Sequence, residues 1–131
     1  MAGAFSTTGA SHLILRLSEL TLIEGLISVQ IKTEAERNLR YKLPTALSRF
    51  QVLVQHALTL VDDPSAQAVN QFVGQAHPED AAILTAAILN GCQYLVTFNG
   101  RHYHPASEIP LAIITPGKLI QQIRKVLSQL R

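Results

Sequence analysis

The spacing of hydrophobic residues along the chain predicts short strands that alternate with helices. The apolar stretch 22–29 is short and rich in β-branched residues, as in a buried strand. Ser28 is placed to end that strand and to cap the helix that follows. From Ile31 onward, apolar residues recur every four positions, which is the period of one helix face.

The rest of the pattern continues the alternation. We expect a helix over 11–20, a helix from Pro44 that ends before Asp62, a helix over 66–73, an apolar helix from Pro78 to Asn90 stopped by Gly91, strands over 94–97 and 109–115, and a final helix capped by Thr115. The last residues of the Pro44 helix could instead form a strand. Strands separated by helices are typical of βα units around a parallel sheet, so we expect an α/β fold.

The composition agrees with one folded, cytoplasmic domain. A chain of 131 residues has room for a single core, so we treat 1–131 as one domain. Apolar residues make up 47% and charged residues 15%, without the run of about 18 apolar residues that a membrane span needs. No basic and apolar leader opens the chain, and Cys92 is its single cysteine, so we expect neither secretion nor a disulfide.

Asp80 is anomalous because it shares one side of its predicted helix with Ile83 and Leu84. Burying an unpaired carboxylate is costly, so this group needs hydrogen-bond donors, a cation, or water in a cleft. The alternative is that Glu79 and Asp80 only complement the positive end of the helix dipole.

Three more polar positions could belong to a site. Glu34 lies at the edge of the apolar stripe of its helix, where it could face a cleft or simply pair with Arg37. Thr97 and Asn99 follow the predicted strand 94–97, and ligands of open α/β sheets bind outside the carboxyl ends of strands. Asn99 followed by Gly100 is also a hairpin-turn signal, so both interpretations stay open.

Basic residues form two groups. We take Arg37 and Arg40 in the first group, and Arg101 and His102 in the second, as candidates for contact with phosphates of a nucleic acid. Such residues also occur on ordinary solvated faces, and the net charge of +2 is too mild to decide between the two interpretations.

His102 and His104 have the same-side spacing of a strand and could share a transition metal. A zinc site is the less favoured interpretation, because no cysteine and no third histidine stands close to them in the sequence. The chain also lacks the glycine-rich phosphate-binding motifs and the G-x-S-x-G motif of serine hydrolases.

Several segments in order carry a family resemblance: GASHLILRL, KTEAERNLR, RNLRYKLPTALSRF, HPEDAAILTAAILNGCQYLVTFNGRHY and AIITPGKLI. Together they resemble a PIN domain, the nuclease domain of many bacterial type II toxins. The resemblance covers the whole chain, and the pattern DAAIL…A…G…YLVT.N, which begins at Asp80, is its most specific part. It implies a three-layer α/β/α fold with a central parallel sheet.

The resemblance also implies site residues. Glu34 matches the second acid of the family and Asp80 the third, while Asn99 stands where the family often has Asp, and Thr97 matches the hydroxyl position just before it. These residues would form the catalytic group, with Glu34, Asp80 and Asn99 holding Mg²⁺ or Mn²⁺ for hydrolysis of RNA. Hard divalent cations prefer such oxygen ligands.

The chain departs from the family at its beginning. PIN domains open with a hydrophobic strand that carries an Asp, whereas Met1 to Phe5 stand where the following loop should be, so we expect the first strand to be absent. We expect the true start to lie upstream and the activity to belong to the longer product. The alternative is a degenerate domain that closes the gap another way.

Three functional hypotheses follow. The first is a metal-dependent endoribonuclease, the toxin of a toxin–antitoxin pair, with RNA, an antitoxin protein and a second copy of the chain as partners. The second is a degenerate PIN-like module that binds RNA or protein without cleaving. The third is a receiver-like or nucleotide-binding α/β domain in which Asp80 caps a helix and the Asn99 loop touches a ligand.

Overall fold

The structure is a computed structural model that describes residues 16–18, 20 and 22–130. The contacts divide the chain into a first unit, Met1–Val61, and a second unit, Asp62–Arg131, and each is described by itself. Of the helix expected over 11–20, residues 16–18 are helical and Leu20 lies in a turn, while its other residues lie outside the described ones. The expectation of one domain stays a prediction.

The first unit contains a parallel pair of strands connected by two helices. Its elements are β1 (Gly25–Ser28), α1 (Val29–Lys42), a 3₁₀ turn (Pro44–Ala46), α2 (Leu47–Ala57) and β2 (Leu58–Val61). β1 and β2 are paired in parallel, with Gly25 opposite Leu58. The strand alternative for the end of the Pro44 helix is therefore confirmed.

Ser28 performs both of its predicted roles. It is the last residue of β1, and its side chain accepts a hydrogen bond from the backbone N–H of Ile31 at 3.2 Å, which caps α1. The apolar face of α1 then packs through Leu39 into a core with Ile27, Phe50 and Val54. Phe50 is fully buried, which makes α2 the central support of this core.

The start of β1 is packed closely enough to require a glycine. The buried Ser18 hydroxyl donates a hydrogen bond to the carbonyl of Ala57 and accepts one from the N–H of Gly25 at 3.2 Å. A Cβ atom on Gly25 would lie 2.6 Å from Cδ2 of Leu58 and 2.7 Å from Oγ of Ser18. The small size of Gly25 therefore allows β1 to approach both neighbours.

The second unit contains the elements on which the candidate site is built. They are α3 (Ala66–Asn70), a 3₁₀ turn (Pro78–Asp80), α4 (Ala81–Leu89), β3 (Tyr94–Val96), a 3₁₀ turn (Gly100–His102), β4 (Ala112–Ile114) and α5 (Pro116–Ser128). β3 and β4 are paired in parallel, with Tyr94 opposite Ala112. Gly91, with φ of 65°, follows the end of α4, and Thr115 caps α5 by accepting from the N–H of Lys118 at 3.3 Å, as the pattern predicted.

Several predicted elements are shorter than expected, and of the strand expected over 22–29 only Gly25–Ser28 is extended. The helix over 66–73 ends at Asn70 and continues as turns toward Gly74, whose φ of 84° does not fit a helix. The strand expected over 109–115 is shorter as well, since only β4 pairs with β3.

Ala76, Leu84, Ala87 and Leu111 form the buried core of this unit. The predicted α/β class is confirmed at the level of helices and parallel strand pairs, and no described helix has the length and apolarity to cross a membrane.

We predict that Gly25→Ala lowers the free energy of unfolding by about 1 to 3 kcal/mol, because the added methyl overlaps Leu58 and Ser18. Urea denaturation followed by circular dichroism measures the change. Gly117→Ala in α5 is the matched control, since a Cβ there meets nothing within 4 Å, and we expect it to be neutral or stabilising by up to about 1 kcal/mol. Equal stability of Gly25→Ala and the natural chain would show that β1 and β2 are not packed this closely.

Candidate metal centre

A short backbone pairing brings together two segments that are distant in the sequence. The N–H of His77 donates to the carbonyl of His102 at 2.9 Å, and the N–H of His104 donates to the carbonyl of Gln75 at 2.8 Å. Ala76 and Tyr103 lie between these bonds as an antiparallel bridge, and both pack at the core of the second unit. The backbones of His77 and His102 are thereby fixed side by side.

Pro78 begins the tight turn that places Asp80 next to the two histidines. The N–H of Asp80 donates to the carbonyl of His77 at 2.8 Å, which closes the 3₁₀ turn ahead of α4. The Asp80 side chain makes no capping hydrogen bond to α4. Its Oδ2 atom lies 3.1 Å from Nδ1 of His102 instead, so the carboxylate is turned toward an imidazole rather than toward the helix amides.

His77, Asp80 and His102, here called the His–Asp cluster, are close enough to share an ion. One ligand atom from each side chain lies within 4.8 Å of the other two. The rings of His77 and His102 are stacked, with centroids 4.1 Å apart and planes inclined by 16°. The side chains of Asp80 and His102 are only 18% and 27% exposed, so a bound ion would be partly shielded from solvent. The cluster could therefore hold a metal ion.

The contact between Asp80 and His102 has a chemical consequence even without an ion. An ionised carboxylate accepts a hydrogen bond, so the contact favours the tautomer of His102 in which Nδ1–H donates to Asp80 and the Nε2 lone pair is available. That lone pair can bind a metal or accept a proton. Carboxylates that hold histidines in this way are common around metal sites.

Thr97 and Asn99 shape the loop that leads into the cluster. The Thr97 hydroxyl accepts a hydrogen bond from the N–H of Asn99 at 3.0 Å, and the carbonyl of Asn99 accepts one from the N–H of His102 at 3.0 Å. The loop leaves the carboxyl end of β3, as expected for a ligand-binding loop in an α/β fold. The contacts assign both residues to the support of His102, and their predicted catalytic roles stay predictions.

Glu34 belongs to the first unit, on an exposed part of α1. Its Oε1 atom accepts a hydrogen bond from Nε2 of Gln30 at 3.2 Å. This local contact agrees with the simpler interpretation of Glu34 as a surface residue. The convergence of Glu34 with Asp80 stays a prediction.

The predicted nucleic-acid residues have different surroundings. Arg37 and Arg40 are exposed and line a shallow pocket of about 220 Å³ with Thr33 and Glu36, here called the arginine pocket. Arg101 is exposed on the 3₁₀ turn that ends at His102. His102, also expected to contact phosphates, faces Asp80.

His77 is the functional residue that sequence reasoning missed. The sequence analysis assigns His77 no role in a site, although its spacing of three from Asp80 places both residues on one side of a turn. The pairing of His102 with His104 as metal ligands assumed an extended strand. Because His102 ends a 3₁₀ turn, alternate residues do not share a face there, and His104 is not part of the cluster found among the described residues.

An apolar pocket of the same unit adjoins the His–Asp cluster. This pocket, of about 480 Å³, is lined by Val69, Val73, Ala76 and Ala81, with the two imidazoles of His77 and His104 also on its wall. His77 therefore belongs both to the cluster and to this pocket. A molecule in the pocket would contact a side chain of the candidate metal centre.

Comparison of the chain with protein-family models, with curated proteins and with solved structures finds no match. The residues themselves define the class: a mixed α/β protein with a candidate metal centre made of two imidazoles and one carboxylate.

The arginine pocket contains a carboxylate whose protonation can be tested. The hydrogen bond from Gln51 to Glu36, at 2.7 Å, is the main cause that lowers the pKa of Glu36 below its usual value of 4.5. Burial opposes this effect, and Lys32, 3.2 Å away, and Arg40 add to it. Glu36 is therefore ionised at neutral pH and offsets part of the positive charge of Arg37 and Arg40.

We predict that Gln51→Ala raises the pKa of Glu36 toward 4.5, because the amide hydrogen bond favours the ionised carboxylate. The stability that this contact contributes is present above pH 4.5 and is lost as the pH falls through the lowered pKa of the folded state. Carbon-detected NMR titration of the Glu36 carboxyl measures the shift. Gln55→Ala, one turn further along α2, is the control, and an unchanged pKa in Gln51→Ala would contradict the assignment.

Proposed function

We propose that this protein is a metal-dependent endoribonuclease of PIN type, which hydrolyses phosphodiester bonds of RNA. The proposal rests on the position of Asp80 at the start of α4. Its carboxylate makes no capping hydrogen bond to the amides of α4 and lies close to two imidazoles instead. The sequence resemblance assigns the third metal-binding acid of the family to this same residue. Two independent arguments therefore agree on Asp80.

The fold supports the proposal through its parallel strand pairs. The strands β1 and β2 are connected through α1 and α2, which is a crossover of the kind that parallel strands require, whereas the connection from β3 to β4 contains only the 3₁₀ turn Gly100–His102. The proposal includes the three-layer α/β/α fold with a central parallel sheet that the sequence resemblance implies.

The proposed cofactor is Mg²⁺ or Mn²⁺. When bound, such an ion would activate water for attack and would stabilise charge on the leaving oxygen. The sequence resemblance assigns Glu34, Asp80 and Asn99 as the residues that would hold the ion and Thr97 as the residue that would orient the scissile phosphate. His102 keeps Asp80 in place through its contact at 3.1 Å.

In this proposal each unit offers its own surface for RNA. The apolar pocket beside His77 has the size and lining to receive an unpaired base, and imidazole planes provide a surface for stacking. Arg37 and Arg40 would contact phosphates, and Arg101 would do so next to the cluster. The proposed biological setting is a type II toxin in the cytoplasm, a homodimer neutralised by an antitoxin protein.

A degenerate module that binds RNA without cleaving it is the second candidate function. The observation that favours it is the composition of the cluster, in which two imidazoles accompany a single carboxylate where a PIN nuclease would gather several acids. The cleavage assay separates these two functions.

We predict cleavage of single-stranded RNA in the presence of Mn²⁺ that Asp80→Asn abolishes, because an amide is a much weaker ligand for the ion than a carboxylate. The assay follows fluorescently labelled RNA on gels with the 131-residue chain and with the same chain extended by any in-frame residues encoded upstream. Asp62→Asn, at the exposed beginning of the second unit, is the control and should cleave normally. If both products bind RNA and neither cleaves it, the nuclease proposal is wrong and the RNA-binding module is the better account of the function.

We predict that replacing Arg37 and Arg40 together by Gln weakens RNA binding and reduces the slope of log affinity against log salt by about 1.4, the value for two phosphate contacts to a single strand. Fluorescence anisotropy at several salt concentrations measures the slope. Replacing Arg124 and Lys125 in α5 by Gln removes the same charge from another exposed surface and serves as the control. Equal slopes in both variants would assign Arg37 and Arg40 to an ordinary solvated face.

A further inference from the structure

We infer that the His–Asp cluster is a site for a first-row transition metal of the Zn²⁺ class, with His77, Asp80 and His102 as its three protein ligands. The inference concerns the same Asp80 as the proposed function but names a different class of metal from the Mg²⁺ or Mn²⁺ proposed there, so the two are tested separately. The binding of the ion itself depends on the geometry of the second unit alone.

The donor atoms determine the class of metal. Imidazole nitrogen binds well to Zn²⁺, Co²⁺ and Ni²⁺, whereas Mg²⁺ prefers carboxylates, phosphates and water at all of its positions. Two of the three donors in the cluster are imidazoles. The site should therefore select a transition metal even when Mg²⁺ is present in large excess.

The backbone holds the three ligands in place before an ion arrives. A direct hydrogen bond of 2.9 Å connects the N–H of His77 to the carbonyl of His102, and the N–H of Asp80 is bonded to the carbonyl of His77. Ala76 and Tyr103, adjacent to the two histidines, are packed at the core. Because the backbone of each ligand is bonded to that of another, binding requires side-chain rotation and no rearrangement of the fold.

The required rotations are small. Ligands at about 2.1 Å from a tetrahedral ion lie about 3.4 Å from one another, so the donors of the cluster, now within 4.8 Å, must approach by roughly 1.4 Å at most. The stacked imidazoles must splay apart so that a lone pair of each ring points at the ion. The Asp80 carboxylate then leaves Nδ1 of His102 and binds the ion instead.

Three protein ligands leave one position of a four-coordinate ion open. Structural zinc sites use four protein ligands, whereas sites with three keep a position for water or substrate. The apolar pocket shares His77 with the cluster, so a molecule bound there would lie next to this open position. The geometry is thus that of a reactive site rather than of a structural cross-link.

The test titrates Zn²⁺ into the full chain by isothermal calorimetry in a background of excess Mg²⁺, with Co²⁺ as a second probe whose visible absorption reports its donors. We expect one ion per chain. His77→Ala, His102→Ala and Asp80→Asn should each weaken binding by at least about 10- to 100-fold, the loss that follows removal of even an outer-shell partner. His56→Ala is the matched control and should bind normally, because His56 is an exposed residue of the first unit and does not belong to the cluster.

NMR of the histidine rings keeps the test decisive if a variant unfolds. In the natural chain, Zn²⁺ should shift the ring signals of His77 and His102 and leave those of His56 in place. Absence of these shifts, or binding unaffected by all three variants, would reduce the cluster to an ion pair between Asp80 and His102 and overturn the inference. Zn²⁺ binding without RNA cleavage would keep the inference and reject the nuclease, whereas Mg²⁺-dependent cleavage without Zn²⁺ binding would do the reverse.

Discussion

The hydrogen bond from the amide of His77 to the carbonyl of His102 joins the two segments that carry the candidate metal centre. Its position is fixed by the core of the second unit, because Ala76 and Tyr103, the residues beside it, are packed with Leu84 and Leu111. In the turn that begins at Pro78, one further hydrogen bond, from the N–H of Asp80 to the carbonyl of His77, places Asp80 beside the two histidines. The cluster is thus a consequence of backbone pairing and core packing.

The local signals of the sequence predicted most of the secondary structure correctly. Ser28 and Thr115 cap helices because their hydroxyls reach amides three residues ahead, a contact that depends only on nearby sequence. Gly91 follows its helix with a positive φ for the same local reason. Strand lengths were less predictable, since β4 extends only as far as it pairs with β3, and pairing is not encoded in a single segment.

The candidate site was predictable only in part. Asp80 stood out because a carboxylate on an apolar helix face needs a partner, and the structure identifies that partner as His102. His77 could not be found as a ligand in this way, because its position depends on the pairing with the segment after β3. Glu34 and Asn99 came from a family resemblance, and their local contacts are with Gln30 and with Thr97 and His102. The predicted site and the observed cluster therefore differ because the cluster depends on pairing between segments that are distant in the sequence.

The central claim is that His77, Asp80 and His102 bind a transition metal together. An anomalous difference map from crystals grown with Zn²⁺, with data collected on both sides of the zinc absorption edge, tests it most directly. The account predicts a single strong peak at about 2.0 to 2.2 Å from one nitrogen of each imidazole and one oxygen of Asp80, with the histidine stack opened. A map without a peak at this position, with the rings still stacked and Asp80 still on His102, would contradict it.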